Sequence, residues 1–447
     1  MNNFAKTLKK AGIVGAGGAG FPTYVKATSK AEFVIVNAAE CEPLLKKDQK
    51  ILEHYPEIVF DGLEMMMKAT TAKTGIIGIK KKHTKVVELL KKIAASRKNI
   101  EIKLLGDYYP AGDEFCLVYD AIGRLVPMGG LPINVGAVVN NVETLYNVAI
   151  SNKYPITKKF ITITGAVKKP CTFKAPVGTS YGELIDFAGG ATCKDYIAID
   201  GGPMMGKVIT DFTLPVTKVS GGLIVLPKNH SLIFKKSRSE NSVSRIGKSA
   251  CDQCSFCTEL CPRYLLGHIL NPHRVMRSLL FSGSGKDIHN EFALLCSQCS
   301  LCSLYSCPEN LDPKSICDMA KKSLIEKSIN LKTASLNFES QPKVHPLRDY
   351  RKTPVSKLIA RLNLSDYDKN APFIKFNYVP SKVRIMLSQH IGAPSETIVN
   401  VGQKVKKGDV IASVADDKLG AYIHASIDGK VSKVNRKYIE ICAVSRE

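Results

Sequence analysis

Two runs of cysteine residues share one spacing pattern. In each run three cysteines stand three residues apart, and a fourth stands directly before a proline. Thiolate sulfur suits iron–sulfur clusters, and this spacing is typical of bacterial ferredoxins, in which the fourth cysteine of one run ligates the cluster of the other. The pattern therefore predicts two [4Fe–4S] clusters, one held by Cys251, Cys254, Cys257 and Cys307 and a second held by Cys296, Cys299, Cys302 and Cys261.

Structural zinc is the alternative for the same cysteines, because Cys-x-x-Cys pairs also build zinc ribbons. A zinc site needs two such pairs, whereas each run here offers a third evenly spaced cysteine and a proline that ends the run. The spacing favours iron. Two clusters transfer single electrons, so we expect the rest of the chain to supply an electron donor site, an acceptor site or both.

The bulk composition is that of a folded, basic protein. The chain has 447 residues, of which 45% are hydrophobic, and a formal net charge of +23. This length predicts about three domains. The charge could serve nucleic acid, an acidic membrane surface, acidic redox partners or phosphate cofactors. The basic residues are scattered and are not interleaved with aromatic residues as in a single-strand binding groove, so we do not expect nucleic acid as a partner.

The sequence suggests no targeting or membrane segment. The first ten residues are polar and rich in lysine, and no run of about eighteen apolar residues follows anywhere in the chain. We therefore expect a cytoplasmic protein without a transmembrane segment, in a compartment that keeps cysteines reduced.

Alternating strand and helix patterns predict an open, mostly parallel sheet near the amino terminus. Buried-strand patterns at 33–36, 75–79 and 100–105 alternate with helical patterns at 58–72 and 84–95. A glycine-rich loop at 15–20 matches G-x-G-x-x-G, but a helix precedes it and Pro22 follows, so the loop alone does not establish a dinucleotide site. Its glycines do let backbone amides approach a phosphate or a flat ring.

Three segments together resemble the flavin and NADH signature of the flavin-bearing subunit of respiratory complex I. They are the glycine loop with Phe21-Pro22-Thr23, the segment 37–43 and the segment 139–144. The same set occurs in the RnfC component of the Rnf complex and in the cobalamin reductases of propanediol-utilising bacterial microcompartments. The resemblance implies bound FMN with NADH as the substrate. It assigns to the FMN site Gly15, Gly17, Gly18, Lys26, Asn37, Glu40, Glu114, Asn140, Asn141 and Thr144, with Glu40 and Glu114 as the expected catalytic residues.

Two departures from the complex I pattern lie inside these segments. Ala16 stands where complex I has arginine, and Ala39 stands where it has aspartate. The phosphate and nicotinamide contacts of complex I are therefore not carried over to this chain. Cys41 lies in the expected flavin site and is the one cysteine outside the two runs for which reactivity is considered. The other extra cysteines, Met204, Met205, His268 and His273 are expected to be structural.

The remaining chain resembles further modules of the same superfamily. The strand–turn–strand–helix order after residue 160 resembles a small β-grasp (SLBB-type) domain, and short carboxyl-terminal strands with Gly-Asp and Asp-Gly turns resemble a barrel-sandwich hybrid. A segment rich in Lys, Arg and Ser at 229–248 is expected to be a linker. The expected fold class is α/β multidomain: a Rossmann-like FMN/NADH-binding domain at 1–155, a β-grasp domain at 156–228, an α-helical dicluster ferredoxin domain at 240–330, a linker at 331–380 and an all-β barrel-sandwich hybrid at 381–447.

The order of these modules favours one branch of the superfamily. In the Rnf protein the barrel-sandwich module precedes the flavin domain, whereas here it follows the cysteine runs. This order favours the microcompartment cobalamin reductases. The resemblance then implies electron transfer from NADH through FMN and two clusters to cobalamin or a corrinoid-bearing partner enzyme. It also implies location in a bacterial microcompartment, with a shell protein or an adenosyltransferase as candidate partners.

Two other functions stay open from the sequence. One is a soluble Rnf-like relay that passes electrons to another flavoprotein or microcompartment enzyme. The other is a scaffold in which the clusters only stabilise the fold. The residues do not identify a corrinoid site.

Overall fold

Residues 2–443 are described by a computed structural model. The amino-terminal part of the chain forms a parallel sheet between helices. The strand order is β3-β2-β1-β5, and all three pairings are parallel. Val34, Ile35 and Val36 of the central strand are fully buried, as expected for a strand covered on both faces. The elements are α1 Asn3–Lys10, α2 Thr23–Ala27, β1 Phe33–Ala38, α3 Lys47–His54, α4 Pro56–Thr70, β2 Thr74–Lys80, α5 Thr84–Ala94, β3 Ile100–Leu105, β4 Tyr108–Tyr109, α6 Glu114–Ile122, β5 Ala137–Asn141 and α7 Val142–Ile150.

The helices α4 and α7 cross closely beside this sheet. A Cβ atom on Gly62 would lie 2.0 Å from the carbonyl oxygen of Leu145, so only glycine permits this approach. The side chain of Asn141 accepts a hydrogen bond from the N–H of Glu143 and so caps the start of α7. Close packing and the cap together fix the residues that follow β5 at the carboxyl edge of the sheet.

A mixed five-stranded sheet forms the second module, with order β7-β6-β10-β8-β9. Strands β6 and β10 are parallel and the other pairs are antiparallel. The helix of this module begins with a capping box between Ser180 and Glu183. The elements are β6 Lys158–Gly165, β7 Cys171–Pro176, α8 Tyr181–Phe187, β8 Tyr196–Asp200, β9 Lys207–Ile209 and β10 Gly222–Pro227.

The expected linker at 229–248 is wrong, because this segment is mostly helical. Ser239 caps the second of its two helices, and Val243 and Gly247 pack inward, with Met276 and Leu279 closest to the glycine. Of the basic residues that suggested a linker, Arg245 and Lys248 are exposed, whereas Lys235, Lys236 and Arg238 are half-buried. This module contains α9 Ser231–Lys236, α10 Glu240–Ala250, α11 Phe256–Glu259, α12 Pro262–Leu265, α13 Pro272–Arg277, α14 Gly283–Glu291 and α15 Pro313–Glu326.

The segment 264–280 does not form one continuous helix. The chain turns at Gly267, whose φ is +88°, and a Cβ atom there would lie 2.2 Å from the carbonyl oxygen of Lys343. This close backbone contact breaks the segment into α12, α13 and a 3₁₀ turn at Ser278–Leu280. The next helix, α14, begins at Gly283 and ends at Glu291.

The segment 331–380, expected as an extended linker, packs against the amino-terminal module. We call this module, which contains β1 to β5 and α1 to α7, the flavin module after the expectation given above. Strand β11 (Thr353–Pro354) of the segment pairs antiparallel with β4, and α16 (Val355–Arg361) follows. The buried guanidinium of Arg348 lies 2.8 Å from a carboxylate oxygen of Asp120. These contacts give the segment a fixed path across the molecule, while the domain boundaries themselves stay predictions.

Two small antiparallel sheets form the carboxyl-terminal module, with orders β12-β18-β17-β14 and β13-β15-β16. Buried Lys218 joins this module to the flavin module, because its Nζ donates to the carbonyl oxygens of Gly12 at 2.9 Å and Tyr422 at 2.6 Å. No helix in the range 2–443 is both long enough and apolar enough for a membrane span. The strands are β12 Lys382–Met386, β13 Glu396–Thr397, β14 Lys404–Val405, β15 Val410–Ser413, β16 Ile423–His424, β17 Gly429–Val434 and β18 Tyr438–Ala443.

Candidate flavin and iron–sulfur sites

The carboxyl edge of the parallel sheet brings three predicted site segments together. Asn37 at the end of β1 is paired in register with Asn141 at the end of β5. The N–H of Ala16 in the glycine loop donates to Oγ1 of Thr144 at 2.9 Å. A Cβ atom on Gly17 would lie 3.4 Å from the Cβ of Asn141. The glycine loop therefore lies directly against the Asn-Asn segment.

The glycine loop is closed at its base and open at its tip. The N–H of Gly15 donates to the carbonyl oxygen of Phe21 at 2.9 Å. Gly17 and Gly18 are exposed, and nothing lies within 4 Å of the position that a Cβ on Gly18 would occupy. Nearby, the buried side-chain N–H₂ of Asn140 has no hydrogen-bond partner among residues 2–443. Exposed loop backbone and an unused buried donor fit a flavin phosphate or ring.

Lys26 supplies a positive charge near the same edge. Its Nζ donates to the carbonyl oxygen of Val139 at 2.7 Å and lies 3.8 Å from Oε1 of Glu114. Glu114 is exposed and is the first residue of α6, which the side chain of Asp113 caps. The ammonium group is thus held at the end of β5, one residue before Asn140.

Glu40 makes different contacts from those of Glu114. Its φ is +34°, and its carboxylate accepts hydrogen bonds from the N–H groups of Asp48 at 2.8 Å and Gln49 at 3.1 Å. Burial, followed by the nearby Asp48 carboxylate, raises the pKa of Glu40 to about 7. Within residues 2–443 no hydrogen bond or ion pair joins Glu40 to Glu114, so the catalytic roles of the two carboxylates stay predictions.

A buried charge cluster beneath the glycine loop was missed from the sequence. The carboxylate of Glu143 is fully buried between Lys47, whose Nζ is 2.9 Å away, and Lys159, which pairs with the same oxygen. Both ammonium groups also donate to the carbonyl oxygen of Ala16, at 3.3 and 3.4 Å. The two lysines therefore connect the glycine loop to Glu143 at the start of α7.

The two ammonium groups keep Glu143 ionised. Burial alone would raise the pKa of this carboxyl, but Lys159 and Lys47 outweigh burial and hold the pKa below its ordinary value. Asp48 extends the cluster, because it lies 3.0 Å from Lys47 Nζ and accepts a hydrogen bond from Asn141 at 2.6 Å. One sequence signal was available, namely a lysine directly before the strand pattern at 160–163.

Cys41 lies close to the expected flavin site, in surroundings that disfavour its thiolate form. Burial raises its pKa to about 11, so the group is protonated at neutral pH. Its sulfur lies beside Gly112, whose carbonyl oxygen accepts a hydrogen bond from the Asn37 side chain at 2.8 Å. The contact is one of packing within the loop that follows β4.

The two cysteine runs fold into the same local conformation. Gln253 and Ser255 have φ values of +60° and +67°, and Gln298 and Ser300, at the equivalent positions, have +59° and +62°. Left-handed conformations of non-glycine residues cost about 1–3 kcal/mol each and persist at functional sites. In both runs these residues curl the chain between successive cysteines.

The fourth cysteine of each run is an electrostatic neighbour of the other run. Burial raises the pKa of the Cys257 thiol, and the neighbouring Cys251, Cys307, Cys254 and Cys261 raise it further, in that order. Burial likewise raises the pKa of Cys299, with Cys261 as its strongest thiol neighbour. This grouping is the one expected for crossed ligation, so it supports the predicted ligand sets.

No three Cys, His, Asp or Glu side chains of residues 2–443 converge enough to hold one metal ion. Tetrahedral zinc with Zn–S distances of about 2.3 Å would need such convergence. His268 and His273 are not expected as metal ligands either. A ring nitrogen of His268 hydrogen-bonds to the carbonyl oxygen of Val126, and a ring nitrogen of His273 hydrogen-bonds to the hydroxyl of Thr258.

The group that contains Cys299 and Cys261 lies against the flavin module. The hydroxyl of Tyr109 donates to the carbonyl oxygen of Cys299 at 2.7 Å. The guanidinium of Arg263 lies 2.8 Å from a carboxylate oxygen of Asp113 and stacks 3.5 Å from the ring centre of Phe115. We call the predicted set of Cys261, Cys296, Cys299 and Cys302 the proximal group, and the set of Cys251, Cys254, Cys257 and Cys307 the distal group.

Four domain families match successive parts of the chain. They are the Nuo51 FMN-binding domain at residues 8–150, the SLBB domain at 160–208, the 4Fe-4S dicluster domain at 250–312 and the RnfC barrel-sandwich hybrid domain at 366–443. Cobalamin reductase PduS of Citrobacter freundii is 40% identical over 439 residues, which cover 97% of this chain and 95% of that protein. The PduS protein of Salmonella typhimurium has the same identity and coverage.

The chain belongs to the PduS cobalamin reductase family.

A more distant relative is the RnfC-type component of the proton-translocating ferredoxin:NAD⁺ oxidoreductase complex of Clostridium ljungdahlii. It is 34% identical over 291 residues, which cover 64% of this chain and 59% of that protein. Among solved structures, an NAD⁺-reducing [NiFe]-hydrogenase in the H₂-reduced state has a TM-score of 0.49 and 22% identity, over 77% of this chain and 63% of the hydrogenase chain.

Family membership confirms the predicted fold class and cofactors. The chain is a flavin and iron–sulfur oxidoreductase with an FMN-binding domain and a dicluster domain. The dicluster match decides against the zinc alternative. The predicted order, with the barrel-sandwich module after the clusters, is also confirmed. The individual ligand and flavin residues stay predictions that the geometry above supports.

Proposed function

We propose that the chain is an NADH-dependent cobalamin reductase. The observation that carries this proposal is the 40% identity to cobalamin reductase PduS over 97% of the chain, which includes all four matched domains. In the balanced reaction, one NADH gives NAD⁺, one proton and two electrons. The electrons reduce two cobalt(III) centres to cobalt(II), one electron at a time.

When bound, FMN accepts a hydride and the iron–sulfur clusters carry single electrons. The flavin contacts proposed for this chain are the ten predicted residues around the glycine loop and the Asn-Asn segment. Lys26 provides positive charge to the flavin phosphate, and the exposed backbone of Gly17 and Gly18 leaves space for the ligand. The buried Lys47–Glu143–Lys159 cluster holds the loop in place through the Ala16 carbonyl.

The contacts between modules support an order of electron transfer. Tyr109 and Arg263 hold the proximal group against the flavin module. Cys254 of the distal group is exposed, whereas Cys257, Cys302 and Cys307 are buried. We therefore place the proximal cluster between the flavin and the distal cluster.

The cellular setting is proposed from family membership. We propose a location in the cytoplasm, within a bacterial microcompartment, because the chain is similar to the PduS proteins. The acceptor is free cobalamin or a corrinoid held by a partner enzyme. A shell protein and an adenosyltransferase are the further partners proposed for this setting.

The test is anaerobic reduction of chain reconstituted with FMN, iron and sulfide. NADH is expected to bleach the flavin and cluster absorbance, and added aquocobalamin is expected to give two cob(II)alamin per NADH. Protein loaded with FMN alone is the control and should bleach only its flavin absorbance. Bleaching without reduction of cobalamin would favour a relay like the Rnf protein. Absence of any bleaching would favour the scaffold.

A further inference from the structure

A cavity of about 540 Å³ lies between the β-grasp module and the proximal cysteine run. One wall is the turn from β8 to β9, at residues 204–208, and a second is the end of α9 with residues 237–238. The third wall is formed by Gln298, Ser300 and residues 303–304, and the fourth by residues 310–315. This volume is within the range of small-molecule sites, which is about 300–1,000 Å³.

Four cationic side chains line the cavity without a salt bridge to a carboxylate of the described residues. Lys207, Lys235, Lys236 and Arg238 form no ion pair with any carboxylate of residues 2–443 at 4 Å or less. Three of them contact neutral oxygens instead. Lys235 Nζ is 2.9 Å from Oδ1 of Asn310, an Arg238 nitrogen is 2.7 Å from the carbonyl oxygen of that residue, and Lys236 Nζ is 3.0 Å from the carbonyl oxygen of Met204.

The carboxylate on the cavity wall offsets these cations only in part. Asp312 accepts hydrogen bonds from the hydroxyls of Ser303 and Ser315, each at 2.6 Å. Lys314 on the same wall is already paired with Asp318 at 2.5 Å. The four cations therefore leave a concave surface with excess positive charge, which attracts an anion.

The burial of Lys236 also favours an anion in this cavity. Burial lowers its pKa to about 8, and Glu42 offsets this effect only in part. A bound anion would favour the charged ammonium group. The carboxylate of Glu42 also accepts hydrogen bonds from the N–H groups of Met204 and Met205, both at 2.9 Å, and so holds the turn that forms the wall.

The cavity lies against both groups of cysteines, because the N–H of Leu311, which lines it, donates to the sulfur of Cys307 of the distal group at 3.4 Å. Gln298 and Ser300 also line the cavity, and they stand on either side of Cys299 in the chain. The N–H of Gln298 donates to the sulfur of Cys296 at 3.4 Å. Met205 is 56% exposed at the opposite wall and provides apolar surface. A molecule bound here contacts the cluster-bearing loop and four unpaired cations together.

We propose that this cavity binds the phosphate group of the electron acceptor. The proposal rests on the proposed function, because it names where the acceptor of that reaction binds. Lysine and arginine side chains around one concave surface are a common arrangement for phosphate recognition. Cobalamin carries one phosphodiester in its nucleotide loop, whereas cobinamide has the same corrin ring without that loop. This pair of compounds separates recognition of the phosphate from recognition of the ring.

The test measures binding and kinetics in the double variant Lys207→Gln/Arg238→Gln of the FMN- and cluster-loaded chain. We expect its dissociation constant for aquocobalamin, from equilibrium dialysis, to rise about tenfold, the size expected when hydrogen bonds to a charged group are lost. The KM for aquocobalamin should rise in parallel, and both constants for cobinamide should stay within error. Inorganic pyrophosphate should compete with aquocobalamin in the unmodified chain.

The matched control is Lys168→Gln/Lys194→Gln, which removes the same charge from exposed lysines of the β-grasp module. It should leave both constants for aquocobalamin unchanged. The cavity assignment is wrong if the unmodified chain binds cobalamin and cobinamide equally, or if the cavity and control variants behave alike. If the unmodified chain bleaches with NADH but reduces neither corrinoid, the proposed function itself fails. Lys236→Gln provides a second cavity variant should the first not fold.

Discussion

The hydroxyl of Tyr109 donates a hydrogen bond of 2.7 Å to the backbone carbonyl oxygen of Cys299. Tyr109 is almost fully buried, so this bond joins the flavin module to the proximal cysteine run without contact with bulk water. A short polar contact in a buried interface fixes the relative position of the groups it joins. The contact therefore fixes the distance between the flavin site and the proximal group of cysteines.

Tyr109→Phe should slow electron transfer from flavin to cluster several-fold while NADH still reduces the flavin. The substitution removes the hydroxyl and leaves the Cys299 carbonyl without this partner, at a cost of about 1–3 kcal/mol. Stopped-flow absorbance under anaerobic conditions separates the two phases. Tyr108→Phe is the matched control, because that hydroxyl contacts Asp120 and Arg348 rather than the cysteine run. Equal slowing in both variants would contradict the role of the Tyr109 contact.

Cys254→Ala should remove the distal cluster and leave FMN bound. Iron content is expected to fall by about half, since one of two four-iron clusters is lost. NADH should still bleach the flavin and the proximal cluster. In Cys299→Ala, by contrast, the proximal cluster should be lost. NADH should then bleach the flavin only, because no cluster connects the flavin to the distal cluster. Reduction of the surviving cluster in both variants would contradict the proposed order. Cys193→Ala, outside both runs, is the control for iron content.

Glu143→Gln should destabilise the flavin module by about 3–5 kcal/mol, the usual cost of breaking a buried ion pair from one side. The variant leaves Lys47 and Lys159 buried without their shared anion, and it loosens the Ala16 carbonyl. The temperature of flavin release and the FMN dissociation constant measure the effect. Glu64→Gln removes an exposed ion pair with Arg97 and should cost about 0–1 kcal/mol.

The ionisation of Glu143 also gives a pH dependence. The folded pKa of this carboxyl lies below its ordinary value, so its stabilising contribution is present above the ordinary value. That contribution is lost as the pH falls through the lowered pKa. The difference in flavin-release temperature between the unmodified chain and Glu143→Gln should therefore shrink in acid. A difference that grows in acid would be inconsistent with an ionised Glu143.

Glu40 should have the opposite pH dependence. Its folded pKa is raised to about 7, so its contribution is fully present below the ordinary pKa of about 4.5 and is lost as the pH rises through 7. Because the side chain is only half-buried, we expect about 1–2 kcal/mol across this window. Flavin release between pH 5 and 8 measures it. In Glu40→Gln, whose amide resembles the protonated acid, this dependence should be flat.

The sequence predicted features that depend on local spacing. The cysteine runs imply a cluster chemistry without knowledge of tertiary structure, because thiolate ligation constrains the spacing itself. The strands around Val36 and Ile77 followed from continuous apolar runs between helical patterns. The Asn140–Asn141 segment was expected at the flavin site, and its register with β1 places it beside Asn37 at the carboxyl edge of the sheet.

The features that were missed depend on distant pairing. Lys47 and Glu143 are 96 residues apart in the chain, and Lys47 follows Lys46 in a segment that resembles an ordinary charged surface. Their proximity results from the packing of α3 against α7. The helices at 231–250 were missed because lysine, arginine and serine suggested a linker, whereas a few small or apolar residues such as Val243 and Gly247 provide the inward face.

The exposure of Cys254 has a practical consequence for handling the protein in air. Dioxygen reaches a metal cluster most easily where a ligand is open to solvent, and within residues 2–443 Cys254 is the exposed member of the two cysteine runs. Aerobic storage should damage this end of the molecule before the buried end. In preparations that have lost the distal cluster, NADH would still bleach the flavin and the proximal cluster, so their condition should be judged by output to the acceptor.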